Sequence, residues 1–207
     1  MYTPSAFAVT DVATLHDFLE RHSFATLVTR HADGRMVASH IPLLLVRDGS
    51  PFGRLEGHVA RPNNQWRDVA GEALAIFTGP HAYVSPRWYD AEGVVPTWNY
   101  TAVHASGPLE TVTDAAELRE MLRRALDTYE RGGDAPWTLE RSGEVVDKLL
   151  KGIVGLRIPV ARIEGKWKLS QNHPPERQER VIAALEAQGD AAAAAVAALM
   201  RANFARE

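Results

Sequence analysis

The sequence predicts a mainly antiparallel α+β chain, built as a barrel or meander with flanking helices. Three observations carry this. Short segments rich in β-branched and aromatic residues follow one another closely. Turn signals such as Asp33-Gly34 and Asp48-Gly49-Ser50-Pro51 separate them. Strands and helices do not alternate regularly, which argues against a doubly wound parallel sheet.

The elements follow in order. Thr10-Asp11 opens a helix, because Val12, Leu15, Phe18 and Leu19 recur at helical spacing and either polar residue can cap the free amides. Phe24 to Thr29 reads as a strand, and Met36 to Val46 is its return after Asp33-Gly34. Leu55 to Val59 is a third strand. Pro62 to Val69 reads as a short helix opening after Arg61. Ala73 to Thr78 is another strand ahead of Gly79-Pro80; Tyr83 to Ser85 extends it or starts a new one, and Pro86 ends it. A polar loop covers Arg87 to Gly93, and Val95 to Leu109 is a long strand. Thr113-Asp114 caps a helix reaching Tyr129, with Leu118, Met121, Leu122, Ala125 and Leu126 on one side.

Gly132-Gly133 ends that helix, and Gly132 to Pro136 is the segment best suited to a flexible junction. Glu144 to Leu150 forms a further short helix. Gly152 to Ile163 is a strand in which Pro159 marks an edge or bulge, and Lys166 to Leu169 continues it. Pro174-Pro175 breaks the chain before a C-terminal helical stretch interrupted near Gly189-Asp190. A single domain over 1–207 is the simplest division, with a helical insertion at about 114–150 and a C-terminal helix at about 176–203.

Composition narrows the function classes. Hydrophobic residues at 45% and charged residues at 24% place the chain among soluble globular proteins. A net charge of −3 gives no bulk electrostatic case for nucleic acid, and no helix-turn-helix signature is present, so direct DNA binding is not expected. The absence of cysteine excludes disulfides, thiolate metal sites and a cysteine nucleophile. The N-terminus lacks a signal-peptide pattern, and no apolar run approaches the roughly 18–20 residues that span a bilayer. A cytoplasmic location is expected. The eight histidines are scattered, without a His-Glu-x-x-His pair, so no metal site is expected. Phosphate-binding glycine loops, the dinucleotide fingerprint and the Gly-x-Ser-x-Gly elbow are all missing.

Four segments carry chemistry. In an extended Val95 to Gly107, Trp98, Tyr100, Ala102 and His104 share one face, and Thr97, Asn99, Thr101 and Val103 the other. Each face holds a directed hydrogen-bonding group, which suits a strand lining a site; an edge strand with amphipathic rings is the other reading. In Ala38 to Leu45, Ser39 and Ile41 share one face, with His40 and Pro42 opposite. In Gly57 to Trp66 a strand gives way to a helix start at which Arg61, Asn63 and free amides would favour a phosphate; a plain cap beside a surface cation is the alternative. In Glu164 to Asn172, Lys168, Ser170, Gln171 and Asn172 offer donors, and the two amides suit the edge of a flat heteroaromatic ring.

Taken in order, seven motifs resemble those of the PaiB-type FMN-binding negative transcriptional regulators: His40-Ile41-Pro42-Leu43-Leu44-Leu45, Gly57-His58-Val59-Ala60-Arg61, Asn64-Gln65-Trp66, Gly79 to Pro86, Val95-Pro96-Thr97-Trp98-Asn99-Tyr100, Lys148 to Gly155 and Glu164 to Asn172. The chain departs from the family pattern at Asn64, where proline is expected, and at His173, where arginine is expected. The resemblance implies a split β-barrel of the pyridoxamine-phosphate-oxidase type, a homodimer, and FMN as cofactor. It places Arg61 and Asn63 at the phosphate, with Ser39 and His58 nearby, Trp66 or Trp98 as a cover, and His40 also among the cofactor-binding residues. Asn99, Lys168, Gln171 and Asn172 would meet the flavin edge, where a lysine stabilises the charge of reduced flavin. A regulator is the leading expectation. The alternatives are an FMN-dependent oxidoreductase on a small substrate and a haem-binding or haem-degrading split-barrel protein; whether the chain is an enzyme is left open.

Overall fold

The computed structural model describes residues 1–132 and 135–204. Gly133 and Asp134 of the expected junction lie outside the described residues. The chain divides into two compact units: residues 1–18, 78–104 and 164 onward form the first, and 19–77 and 105–163 the second.

In the first unit, strand β1 (Ala8–Val9) pairs antiparallel with β10 (Arg162–Lys168), Ala8 opposite Lys166. β10 is followed in the sheet by β7 (Thr97–Pro108) and β6 (Glu72–Val84). β6 runs without a break through Gly79-Pro80. Gly79 has to be glycine there, because a Cβ would sit 2.3 Å from Thr101 Oγ1 and 2.8 Å from the Phe18 ring. Helices α4 (Pro175–Ala187) and α5 (Ala191–Phe204) are separated at Gly189, whose φ of 68° lies in the left-handed region. Their buried residues Val181, Ile182, Leu185, Val196 and Met200 form one core with Val84, Tyr89 and Leu169. α1 (Val12–Arg21) starts where Asp11 Oδ2 accepts from the Thr14 amide at 2.8 Å, the expected cap.

In the second unit, β2 (Phe24–Arg30) and β3 (Met36–Pro42) form a hairpin in full register, Phe24 opposite Pro42 and Arg30 opposite Met36. β6 pairs on the other side of β2, Leu27 opposite Ala75. The expected single return strand over Met36 to Val46 divides at Leu43, which is fully buried and donates its amide to Ser23 O at 2.8 Å. The next strand, β4 (Leu44–Val46), belongs to a different sheet of order β4-β5-β9-β8, with β5 (Arg54–Ala60), β9 (Ile153–Pro159) and β8 (Glu110–Val112). β9 ends at Pro159, dividing the second expected long strand from β10. Helix α2 (Ala115–Tyr129) is capped by Asp114 Oδ1, which accepts from the amides of Ala116 and Glu117. Leu118 and Met121 pack with Val112, Val146 and Leu150, the last two from α3 (Val145–Leu150). Among the described residues no helix is long and apolar enough to cross a membrane.

Candidate functional site

The segment after Arg61 is not a helix of any length. Only Asn64–Trp66 forms a single 3-10 turn, so the aligned dipoles that would favour an anion at a longer helix start are missing. Asn63 caps that turn, Oδ1 accepting from the Gln65 amide at 3.0 Å, while its Nδ2 donates to Ser39 Oγ at 3.0 Å. Because Ser39 Oγ accepts this bond, the hydroxyl proton is left to donate elsewhere. Arg61 is held rigidly: Nε donates to Lys151 O at 2.8 Å and Nη2 to Ile153 O at 2.9 Å. Neither partner is charged, and Arg61 forms no ion pair among the described residues. Trp66 Nε1 donates to Arg61 O at 3.4 Å, and the Arg67 guanidinium lies 4.6 Å over the Trp66 ring. Asn63 thus links to Ser39 through its side chain, and Trp66 links to Arg61 through the Arg61 main-chain oxygen, while the Arg61 guanidinium faces a hollow lined by Thr113, Asp147 and Lys151.

Strand alternation sends His40 to the other face of β3, where its Nδ1 meets Thr26 Oγ1 at 3.0 Å. Sequence reasoning missed Gln65, which is fully buried and ties the hairpin together by donating to Leu27 O at 2.8 Å and Val37 O at 3.2 Å. Its place between Asn64 and Trp66 in a quoted motif was the available signal.

His58 lies elsewhere in the second unit, on the wall of an apolar hollow of about 280 Å³. Leu118, Met121, Leu122 and Leu126 of α2 form much of that wall. His58 as a residue stays accessible to solvent, yet the surrounding protein desolvates it enough to lower its pKa. Glu56, two residues earlier, is buried under three guanidinium groups, Arg54, Arg124 and Arg157.

The remaining expected site residues fall in the first unit. Asn99, Lys168 and Asn172 line one polar cavity of about 290 Å³ together with Tyr89, Ser170, His173 and Arg177. Asn99 is fully buried and committed, its Nδ2 donating to Ser170 Oγ at 2.9 Å. Gln171 is also committed: Oε1 accepts from the Leu169 amide and Nε2 donates to Trp167 O, both at 2.6 Å. Lys168 Nζ donates to Thr97 Oγ1 and to Trp98 O. Burial lowers its pKa, and the nearby Lys166 adds to that. Trp98 stands outside the cavity, half-exposed, edge-on to Tyr83 at 6.0 Å and tilted against His81 at 6.2 Å. Tyr89 closes the aromatic, turn-rich run from Gly79, which reads either as a lid over a planar ligand or as a packed loop, and it lines this cavity; Arg177, in the first turn of α4, carries no local signal for it.

Among the described residues no cluster of His, Asp or Glu is arranged to hold a metal ion. A family model described as "Putative FMN-binding domain" matches residues 1–162. The Protease synthase and sporulation protein PAI 2 of Bacillus subtilis is 37% identical over 203 residues, covering 97% of this chain and 96% of that protein. The solved structure of the FAD and heme binding protein from Mycobacterium smegmatis is similar with a TM-score of 0.60 at 18% identity, covering 83% of this chain and 78% of that one. The flavocytochrome Anf3 from Azotobacter vinelandii gives a TM-score of 0.60 at 18% identity, covering 78% of this chain and 69% of that one. At such identities the two structures share the fold with this chain, and the likeness extends no further.

Proposed function

The chain belongs to the FMN-binding domain family matched above, and from this premise we propose that it binds FMN as a cytoplasmic homodimer and acts as a negative regulator through its flavin state. The observation that carries the reading is the Arg61 guanidinium, which lies inside the matched residues. Arg61 would hold the cofactor phosphate. Its guanidinium is fixed by two main-chain carbonyls before any ligand arrives, so little side-chain entropy remains to be lost on binding. Bound FMN supplies one- and two-electron redox chemistry. In the first unit the amides of Asn99 and Gln171 are committed to neighbours, while Trp98 and Tyr83 stand exposed on β7 and β6. The regulatory part rests on the similarity to the Protease synthase and sporulation protein PAI 2 of Bacillus subtilis.

The test is an FMN titration by fluorescence quenching, comparing the wild type with Arg61→Ala. Saturable binding that weakens at least tenfold in the variant, about 1.4 kcal/mol, supports Arg61 as the phosphate anchor. Unchanged affinity refutes that placement, and no saturable binding by the folded wild type refutes the flavin reading. Light scattering on the same samples checks the dimer, and a gel-shift assay at physiological salt checks direct action on DNA.

A further inference from the structure

The polar cavity of the first unit holds positive charge that nothing in its lining neutralises. Lys168 and Arg177 both face it, and no aspartate or glutamate is among its lining residues. Lys168 Nζ donates only to neutral oxygens, those of Thr97 and Trp98. Arg177 makes no ion pair among the described residues. The cavity also holds an unsatisfied buried donor. Tyr89 is 1% exposed, yet its hydroxyl has no hydrogen-bond partner of normal geometry. Burial raises the phenol pKa, and the nearby Ser170 hydroxyl and Arg177 guanidinium offset only part of that. A buried hydroxyl without a partner is costly, so folded proteins rarely keep one without a use.

We propose that this cavity is a binding site for a small organic anion, whose carboxylate or phosphate group is met by Arg177 and Lys168 and takes a hydrogen bond from the Tyr89 hydroxyl. The site is preformed. Main-chain and hydroxyl oxygens fix Lys168, Arg180 Nη1 donates to Tyr89 O at 3.0 Å, and the Tyr89 ring lies 4.5 Å from the His173 ring. Ser170 holds a left-handed φ of 67° at the cavity wall, a strained conformation for a residue with a side chain. Val94 and Val95 contribute an apolar wall, so the ligand carries carbon as well as charge. The charge imbalance is felt inside the site: after burial, Arg177 and Lys168 are what hold the His173 pKa down. Ser39, Arg61 and Asn63 do not line this cavity, and Lys168, Ser170, His173 and Arg177 lie beyond the matched residues 1–162. Asn99, Lys168 and Asn172, which the family resemblance sets at the flavin edge, also line this cavity, and the FMN titration below separates the two assignments.

The experiment is calorimetric titration of the full chain with inorganic phosphate and, separately, with succinate, at constant ionic strength against a chloride control. Saturable binding of succinate, or of phosphate once Arg61→Ala has removed the phosphate site proposed at Arg61, weakened at least tenfold by adding Arg177→Gln or Lys168→Met, is the expected result; the stronger probe identifies the anion class. Tyr89→Phe removes one oxygen without disturbing packing and should weaken binding about tenfold while leaving the fold intact, which guards against a variant that merely fails to fold. Absence of saturable binding of both probes to the folded wild type overturns the proposal, as does an unchanged dissociation constant in the Arg177→Gln, Lys168→Met double variant. FMN titration of the same variants separates the two sites. Retained FMN affinity in Arg177→Gln is expected, and its loss would assign the cavity to the cofactor and overturn a separate anion site.

Discussion

Replacing Glu56 by glutamine tests the most concentrated electrostatic feature of the second unit. The Glu56 side chain is 2% exposed. Its Oε1 accepts from Arg54 Nε at 2.9 Å, its Oε2 from Arg124 Nη2 at 2.8 Å and Nε at 3.0 Å, and Arg157 Nε lies 3.7 Å away. Glu56→Gln keeps the volume and leaves three guanidinium groups around a neutral amide. Removing one partner of a buried ion pair costs about 3–5 kcal/mol. The arginines each retain roughly a quarter of their exposure, so water screens part of the loss. The expected destabilisation is therefore about 2–3 kcal/mol, or a Tm lower by about 5–10 °C for a chain of this size. Urea unfolding followed by circular dichroism measures it. Arg124 belongs to α2 and reaches Glu56 on β5, so hydrogen exchange in α2 should also accelerate. The double variant with Arg124→Gln should lose less than the sum of the two single changes. A loss below about 1 kcal/mol for Glu56→Gln would refute the argument, because the three arginines would then be balanced by solvent and not by this carboxylate.

Three other outcomes follow from the coordinates. A Cβ on Gly107 would stand 2.0 Å from Pro159 O and 3.2 Å from Ala161 N, and main-chain atoms cannot rotate away; Gly107→Ala should cost about 3 kcal/mol or more in denaturant unfolding, and an unchanged midpoint would contradict this contact. The pKa values of His58 and His104 are lowered, chiefly by burial, so between their folded values and 6.5 the unfolded chain binds more protons. Their contribution to stability is full above about pH 6.5 and is lost as pH falls through it, which urea midpoints from pH 7.5 downward should show, with a shallower fall in His104→Gln. Asp48 is held down to about 2, first by hydrogen bonds from Ser50 and then by Arg54. Its contribution is present above the ordinary value of 3.8 and disappears as pH drops through about 2, so Asp48→Asn should flatten that acid limb; equal slopes in variant and wild type would count against it.

Local chemistry was legible in the residues alone wherever a structure depends on near neighbours. Asp11 and Asp114 cap their helices, Asp33-Gly34 turns its hairpin, and Gly189 divides the last two helices, because each needs only a few consecutive residues. The α+β class and the FMN-binding family were readable for the same reason, from ordered short motifs. Tertiary structure decided the rest. Gly79-Pro80 leaves open whether the strand is extended or a new one begins; β6 continues through it, and Thr101 and Phe18 packing there require a position with no side chain. Pro62 to Val69 reads as a helix, but Gln65 sends its amide into the β2–β3 hairpin and one 3-10 turn remains. Asn99 and Gln171 look like free amides, and Arg177 looks like an ordinary surface residue, until the fold assigns their surroundings. A polar group has a fixed number of donors and acceptors, and only the folded chain determines whether a neighbour consumes them or leaves them for a ligand.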